Sequence, residues 1–214
     1  MKVLIINGSP KGEYSITLHT ALFLEKKFPQ CKFEIIHVGK KIKSFEKDMS
    51  HAIKSFAEAE LVVFSYPVYT FLVPAQLHRF MELLHESGIS FKGKYATQIS
   101  TSKHFYDTTA HEFMRENLTD LGFTVIEGLS ADMEDLPTEK GQNEAFKFFE
   151  YVLWQIKGAE HKIINTNKRV VVVTDCEDDN EGLRKKINLF IDLIGAPVDI
   201  VNILKFPFKG SCQG

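Results

Sequence analysis

The chain has 214 residues, 44% of them hydrophobic and 25% charged, with a formal net charge of −2. That size and balance are those of a folded globular protein with one large domain, or one of ordinary size and part of a second, and they exclude a disordered chain. Nothing in the charge suggests a nucleic-acid partner or a polybasic membrane contact.

Residues 2–6, Lys-Val-Leu-Ile-Ile, are strand formers, and the run is far too short for a signal-peptide core or a membrane span. The loop Asn7-Gly8-Ser9-Pro10-Lys11-Gly12-Glu13-Tyr14-Ser15-Ile16-Thr17 follows and leads into a helix with apolar positions at Leu18, Ala21 and Leu22. A strand, a polar glycine-containing loop and a helix start turn unpaired N–H groups and the positive helix end toward one point, which favours an anion, most often a phosphate. Ser9, Ser15 and Thr17 offer hydroxyls there and Lys11 a charge; the plain alternative is a short βα turn with a serine cap. Pro29 closes the helix, residues 33–38 make a second strand ended by Gly39, and the lysine-rich residues 40–47 are expected as a solvated loop. A short helix covers 50–59. Leu61-Val62-Val63-Phe64 then fits a strand buried on both faces of a parallel sheet.

Residues 65–71 form the next loop, and Pro74 stands at the start of a helix with its stripe at Leu77, Phe80, Met81 and Leu84. A fourth strand, 95–101, runs into Ser102-Lys103-His104-Phe105-Tyr106, with Asp107 as N-cap of a helix that Gly122 ends. Residues 123–126 are a fifth strand, followed by an acidic loop and a long helix carrying Ala145, Phe148, Phe149, Val152, Leu153 and Ile156. The β-α alternation implies an α/β, doubly wound, five-stranded parallel sheet with helices on both faces. Ligands in such sheets bind beyond the carboxyl ends of the strands, where the loops after strands one, three and four lie.

Residues 158–168 are polar and read as a linker, and 169–214 as a β-α-β extension: a strand at 169–173, a helix at 181–194 and a strand at 198–204. The main domain is thus 1–157, and the extension repeats its opening. The extension's first loop, Thr174-Asp175-Cys176-Glu177-Asp178-Asp179, is acidic and repels an anion. It has no clear metal-ligand spacing, and acids beside a helix start match the dipole. Cys31, Cys176 and Cys212 are far apart and odd in number, so no disulfide framework is expected and a reducing cytoplasm is the default.

Several chemistries drop out. No Gly-x-Gly-x-x-Gly follows the first strand, and Pro10-Lys11-Gly12 is not the Gly-Lys-Ser/Thr of a nucleotide-hydrolysing loop. No Gly-x-Ser-x-Gly elbow provides a hydrolase nucleophile. A phosphorelay receiver needs acids after strands one and three, where this chain has Asn7-Gly8-Ser9 and Ser65-Tyr66.

The three remaining loops resemble those of the flavodoxin-like NAD(P)H-dependent FMN and quinone reductases. In that family a Gly-Ser-Pro-Arg/Lys loop leading to Ser-Asn-Ser/Thr binds the FMN phosphate. Gly8-Ser9-Pro10-Lys11 with Ser15-Ile16-Thr17 matches it, and Ile16 in place of the usual Asn removes a side-chain contact but leaves the backbone donors. The stretch Tyr66-Pro67-Val68-Tyr69-Thr70-Phe71 through Pro74-Ala75-Gln76-Leu77 is close to the family's segment beside the isoalloxazine ring. Thr101-Ser102-Lys103-His104-Phe105-Tyr106-Asp107 looks like its loop at the flavin's pyrimidine edge.

The resemblance covers 1–157 and implies FMN as cofactor, with NADH or NADPH as hydride donor. It puts Ser9, Lys11, Ser15, Ile16 and Thr17 at the phosphate, and Pro67, Val68, Tyr69 and Phe71 along the ring. Lys103, His104 and Tyr106 fall at the N1/O2 edge and Ser102 is a further cofactor contact, with Tyr69, His104 and Tyr106 as the catalytic candidates. It further implies a homodimer and, as acceptor, a quinone, free flavin, nitro compound or redox partner protein. The rival readings are a non-enzymatic flavodoxin-type electron carrier and a fold kept as a docking module. The extension resembles the opening of a second such domain, cut short at Gly214. Some relatives carry an iron–sulfur cluster or a Cys-x-x-Cys after their second strand; in a longer chain Cys212 would begin such a motif, and otherwise it is a spare thiol.

Overall fold

The computed structural model describes residues 1–103, 107–157, 169–194 and 196–205. The chain separates into two compact units, Met1–Lys157 and Gly158–Gly214. The expected linker at 158–168 lies outside the described residues.

The first unit is built on a parallel sheet of β1 (Lys2–Asn7), β2 (Lys32–His37), β3 (Leu61–Pro67), β4 (Tyr95–Ser102) and β5 (Thr124–Val125), in the order β2-β1-β3-β4-β5. Alternation along β1 sorts its side chains. Val3 and Ile5 face α1 (Ile16–Lys27) and α6 (Glu139–Ile156), whereas Leu4 and Ile6 face the opposite core. That opposite core is filled from α2 (Val38–Phe45), α3 (Ser50–Glu58), α4 (Ala75–Glu86) and α5 (Thr108–Asp120). Burial on both faces explains why β3 reads as a continuous apolar run. The phenylalanines serve packing: Phe91 stacks on Phe123 at 4.6 Å between ring centroids, and Phe56 meets Phe91 at 5.1 Å.

Three sequence expectations need correction. Residues 40–47 are not a solvated loop, because residues 38–45 form α2, which buries Val38, Gly39 and Phe45 and sets Phe45 edge-on to Phe80 at 5.4 Å. The lysines hid a helical Val38, Ile42, Phe45 spacing. The fifth strand is only Thr124–Val125, and the acidic loop after it contains a further strand, β6 (Leu129–Asp132), that pairs parallel with Ile99–Ser102 of β4. Between the two segments Gly128 presses on Gln98, where a Cβ would fall 2.3 Å from Gln98 Cγ, and Thr97 Oγ1 donates to the Glu127 carbonyl at 3.1 Å. Sheet pairing, not composition, makes β6 a strand. Asp107 occupies the N-cap position of α5 with no side-chain cap hydrogen bond.

In the second unit β7 (Val170–Thr174) and β8 (Val198–Asn202) pair in parallel, connected through α7 (Glu181–Ile194). The last strand ends sooner than expected, and Ile203–Lys205 is a 3-10 turn.

Candidate functional site

The strand order reverses between β1 and β3, so their carboxyl ends open a crevice. Asn7 ends β1, and the Gly8 N–H donates to the Ser65 carbonyl of β3 at 2.8 Å, so the loop leaves the sheet against its neighbour. At Gly8 a Cβ would lie 2.8 Å from Leu77 Cδ2, which lets α4 close on the loop. A 3-10 turn, Gly12–Tyr14, follows, with Gly12 at φ +59°. Ser15 then caps α1, its Oγ accepting from the Leu18 N–H at 3.5 Å. The Ile16 and Thr17 amides belong to the first turn, which has no helical acceptor. Thr17 Oγ1 shares a hydrogen bond with Thr101 Oγ1 of β4; with Thr101 donating, the Thr17 proton stays available to a ligand.

The second loop is held at its base by Val68 N–H donating to the Thr101 carbonyl at 2.9 Å. It closes as a tight turn, with Tyr69 N–H to Leu72 O at 2.9 Å and Leu72 N–H to Tyr69 O at 3.2 Å. Thr70 and Phe71 at its tip have φ of 48° and 73°, left-handed conformations that cost non-glycine residues about 1–2 kcal/mol each. The turn leaves Tyr69, Phe71 and Leu72 exposed. In the third loop Met133 N–H, just past β6, donates to the Ser102 carbonyl at 3.1 Å.

One cavity of about 180 Å³ joins the three loops. From the first loop Ser9, Lys11, Ser15, Ile16 and Thr17 line it; from the second, Pro67, Val68 and Tyr69; from the third, Ser102 and Lys103. Ser9 and Ser15 are buried, whereas Lys11 and Lys103 are exposed and their charges screened. Phe71 does not line the cavity, because the turn carries it outward. His104 and Tyr106 lie outside the described residues. Thr101 and Met133 are wall residues the sequence reading left without a role. Thr101 stood in the quoted third loop; Met133 had no signal, since its position depends on the pairing of β6.

A larger hollow of about 550 Å³ lies on the α5 side of β4, between Gln98, His111, Arg115 and Glu127. Of its polar groups, Gln98, His111 and Arg115 are already paired. Tyr66 Oη and Gln98 Oε1 are bonded, His111 Nε2 is 2.8 Å from Ser100 Oγ, and Arg115 is held by Glu112 and Glu116. Burial pushes the Tyr66 phenol up and the His111 imidazole down, so both stay neutral near pH 7. Size alone does not make this the site; the smaller cavity has the unpaired helix start.

The NADPH-dependent FMN reductase family model matches residues 1–134. This chain belongs to that family. A stretch of 39 residues is 41% identical to FMN-dependent NADH:quinone oxidoreductase 2 of Halalkalibacterium halodurans, spanning 18% of this chain and only 19% of that relative. Among solved structures, an NADH:FMN oxidoreductase in its apo form superposes with a TM-score of 0.61 at 17% identity, over 74% of this chain and 91% of that one. An FMN-dependent NADH-azoreductase of Bacillus anthracis in complex with FMN gives 0.57 at 16% identity, over 74% of this chain and 100% of that one. At such identities the structures establish the flavodoxin-like fold of this reductase-family member and no more. Among the described residues, no helix is long and apolar enough to cross a membrane.

Proposed function

We propose that this chain binds FMN in the 180 Å³ cavity and passes a hydride from NADH or NADPH, through the flavin, to a quinone, free flavin or similar acceptor. The observation that carries the reading is the convergence of three separate loops on one crevice at the β1/β3 reversal. The donor set suits a phosphate monoester: a serine-capped helix start, buried Ser9 and Ser15, and a glycine where a Cβ would collide with α4. The volume is below the ~300–1,000 Å³ of enclosed ligand pockets, which fits a phosphate-end socket with the ring lying along the open wall of Pro67, Val68 and Tyr69.

When bound, the flavin supplies the hydride chemistry. The chain's own work is to hold and orient. Ser9, Ser15 and the first-turn amides of α1 would donate hydrogen bonds to the phosphate; Val68 and Tyr69 form a wall for the ring; Lys103 adds positive charge in the third loop.

Purified protein reconstituted with FMN should be yellow and should lose its flavin absorbance when NAD(P)H is added anaerobically. A protein that fails to take up FMN sinks the reading. One that binds FMN but oxidises NAD(P)H negligibly is instead a flavodoxin-type carrier.

A further inference from the structure

The first loop is braced by a side chain that belongs to another strand. Asn7 is fully buried and its amide makes three contacts. Oδ1 accepts from the Ser9 N–H at 3.1 Å, Nδ2 donates to the Gly12 carbonyl at 2.8 Å, and Nδ2 also lies 3.0 Å from Nδ1 of His37. The first two partners have fixed polarity, so the amide has one possible orientation. Its second N–H therefore points at His37 Nδ1, which must be an acceptor. His37 is the last residue of β2 and stands opposite Asn7 in register.

The rest of the β2–α2 junction presses on the same loop. At Gly39 a Cβ would fall 2.3 Å from the Ser9 carbonyl, and at Gly12 a Cβ would fall 2.9 Å from Lys40 Cδ. Lys40 Nζ also pairs with Glu13 at 3.0 Å. The loop's inner side faces the cavity through Ser9, and its outer side rests on residues 37–40.

We propose that His37 is a positioning residue for cofactor binding: as the neutral, Nε2-protonated imidazole it accepts from Asn7 and holds the amide that ties Ser9 to Gly12. The proposal rests on the reading that this loop takes the FMN phosphate. Protonation would set an Nδ1–H against the Asn7 N–H, and the tie would break. Several groups act on that proton. Partial burial disfavours it, Glu13 from the 3-10 turn favours it, and Lys41 and Lys40 of α2 disfavour it, holding His37 below the usual histidine range. A group depressed in this way gives its full support above about pH 6.5 and loses it as pH falls through the folded-state value.

FMN affinity, read by flavin fluorescence quenching, tests this on the full chain with wild type, His37→Ala and His37→Asn. Asparagine offers an oxygen near the position of Nδ1 and cannot gain a proton. At pH 8 His37→Ala should bind FMN about tenfold more weakly, because an Asn7 N–H is left unpaired, and His37→Asn should recover most of that loss. On acidification every variant weakens, since a phosphate monoester loses its second charge near pH ~6. Wild type should weaken further than His37→Asn, the gap opening where ¹⁵N NMR shows the His37 ring gaining its proton. The same spectra on FMN-free protein should show the Nε2–H tautomer, with the Ser9 and Gly12 amides shifting as His37 protonates.

An Nδ1–H tautomer, equal FMN affinity of His37→Ala and wild type at pH 8, or parallel acid curves through His37 protonation would overturn the proposal. Wild type that does not bind FMN at pH 8 defeats the functional reading instead. The tautomer and amide shifts still decide whether His37 braces the loop.

Discussion

The chain makes the same β-turn-α move at the head of each unit, and the two turns differ in the groups they present. After β1, Asn7 spends its amide within the loop and on His37, which leaves Ser9, Ser15 and the start of α1 turned to a cavity. After β7, the turn closes on itself. Thr174 Oγ1 accepts from Cys176 N–H at 3.1 Å, Asn180 Oδ1 accepts from Leu183 N–H at 3.0 Å, and Asn202 Nδ2 donates to the Cys176 carbonyl at 2.8 Å. Lys205 pairs with Asp178 at 2.8 Å, and the lowered Asp178 carboxyl reflects that bond. The topology is shared, so it does not make an anion site. Both turns spend backbone donors internally; what differs is that the first keeps Ser9, Ser15 and the start of α1 on a cavity wall, while the second carries Asp175, Glu177, Asp178 and Asp179.

Glycine substitutions should break this comparison most sharply. Gly39→Ala puts a methyl into the backbone of Ser9, where neither side can yield, and should cost toward the upper end of the ~1–3 kcal/mol typical of overpacking while abolishing FMN binding. Gly182→Ala, at the start of α7, meets nothing nearer than Asn180 Oδ1 at 3.8 Å and should gain up to about 1 kcal/mol from helix propensity. Denaturant melts of the two variants read both effects. A Gly39→Ala protein as stable as wild type would show that the β2–α2 junction does not press on the loop.

Asparagine comes next. Asn7→Ala strands the Ser9 N–H and Gly12 carbonyl in a buried setting and should cost about 1–3 kcal/mol, with weaker FMN binding. Asn180→Ala removes only a helix cap, about 1 kcal/mol, and should leave FMN affinity unchanged. Smaller again is the turn of the second loop. Among the described residues, Thr70 and Phe71 are the non-glycine positions with positive φ. Thr70→Asn suits that conformation and should raise stability by about 0.5–1 kcal/mol in a thermal melt.

The strand and helix alternation of the first unit was legible because β1, β3 and β4 are buried on both faces, the first two as apolar runs, and most of the helices keep an apolar stripe. The valine run of β7 also read as a strand from its β-branched residues, yet Val171 and Val173 are 55% and 65% exposed where Val62 and Val63 are fully buried. A run of valines predicts a strand, not what covers it. α2 was missed because its three lysines are interspersed among the few residues it buries, and β6 because its pairing brings together Gly128 and Gln98, far apart in sequence. At the site, the loops were legible from their residue types. The wall made by Met133 and the His37–Asn7 contact were not, since each joins segments that only the sheet brings together.

The weakest expected effect concerns the most conspicuous charge. Lys11 stands on the rim of the cavity, exposed, and no hydrogen bond from its ammonium group orders it among the described residues. A charge so placed is screened within a Debye length of about 8 Å at physiological salt, and exposed pairs contribute roughly 0.2–1 kcal/mol. Lys11→Gln should therefore weaken FMN binding only about two- to fivefold at low ionic strength, with the difference fading as salt is raised. If the loss were a hundredfold and independent of salt, the ammonium would be a buried phosphate ligand, and the amides and hydroxyls of the loop would no longer account for the anion site.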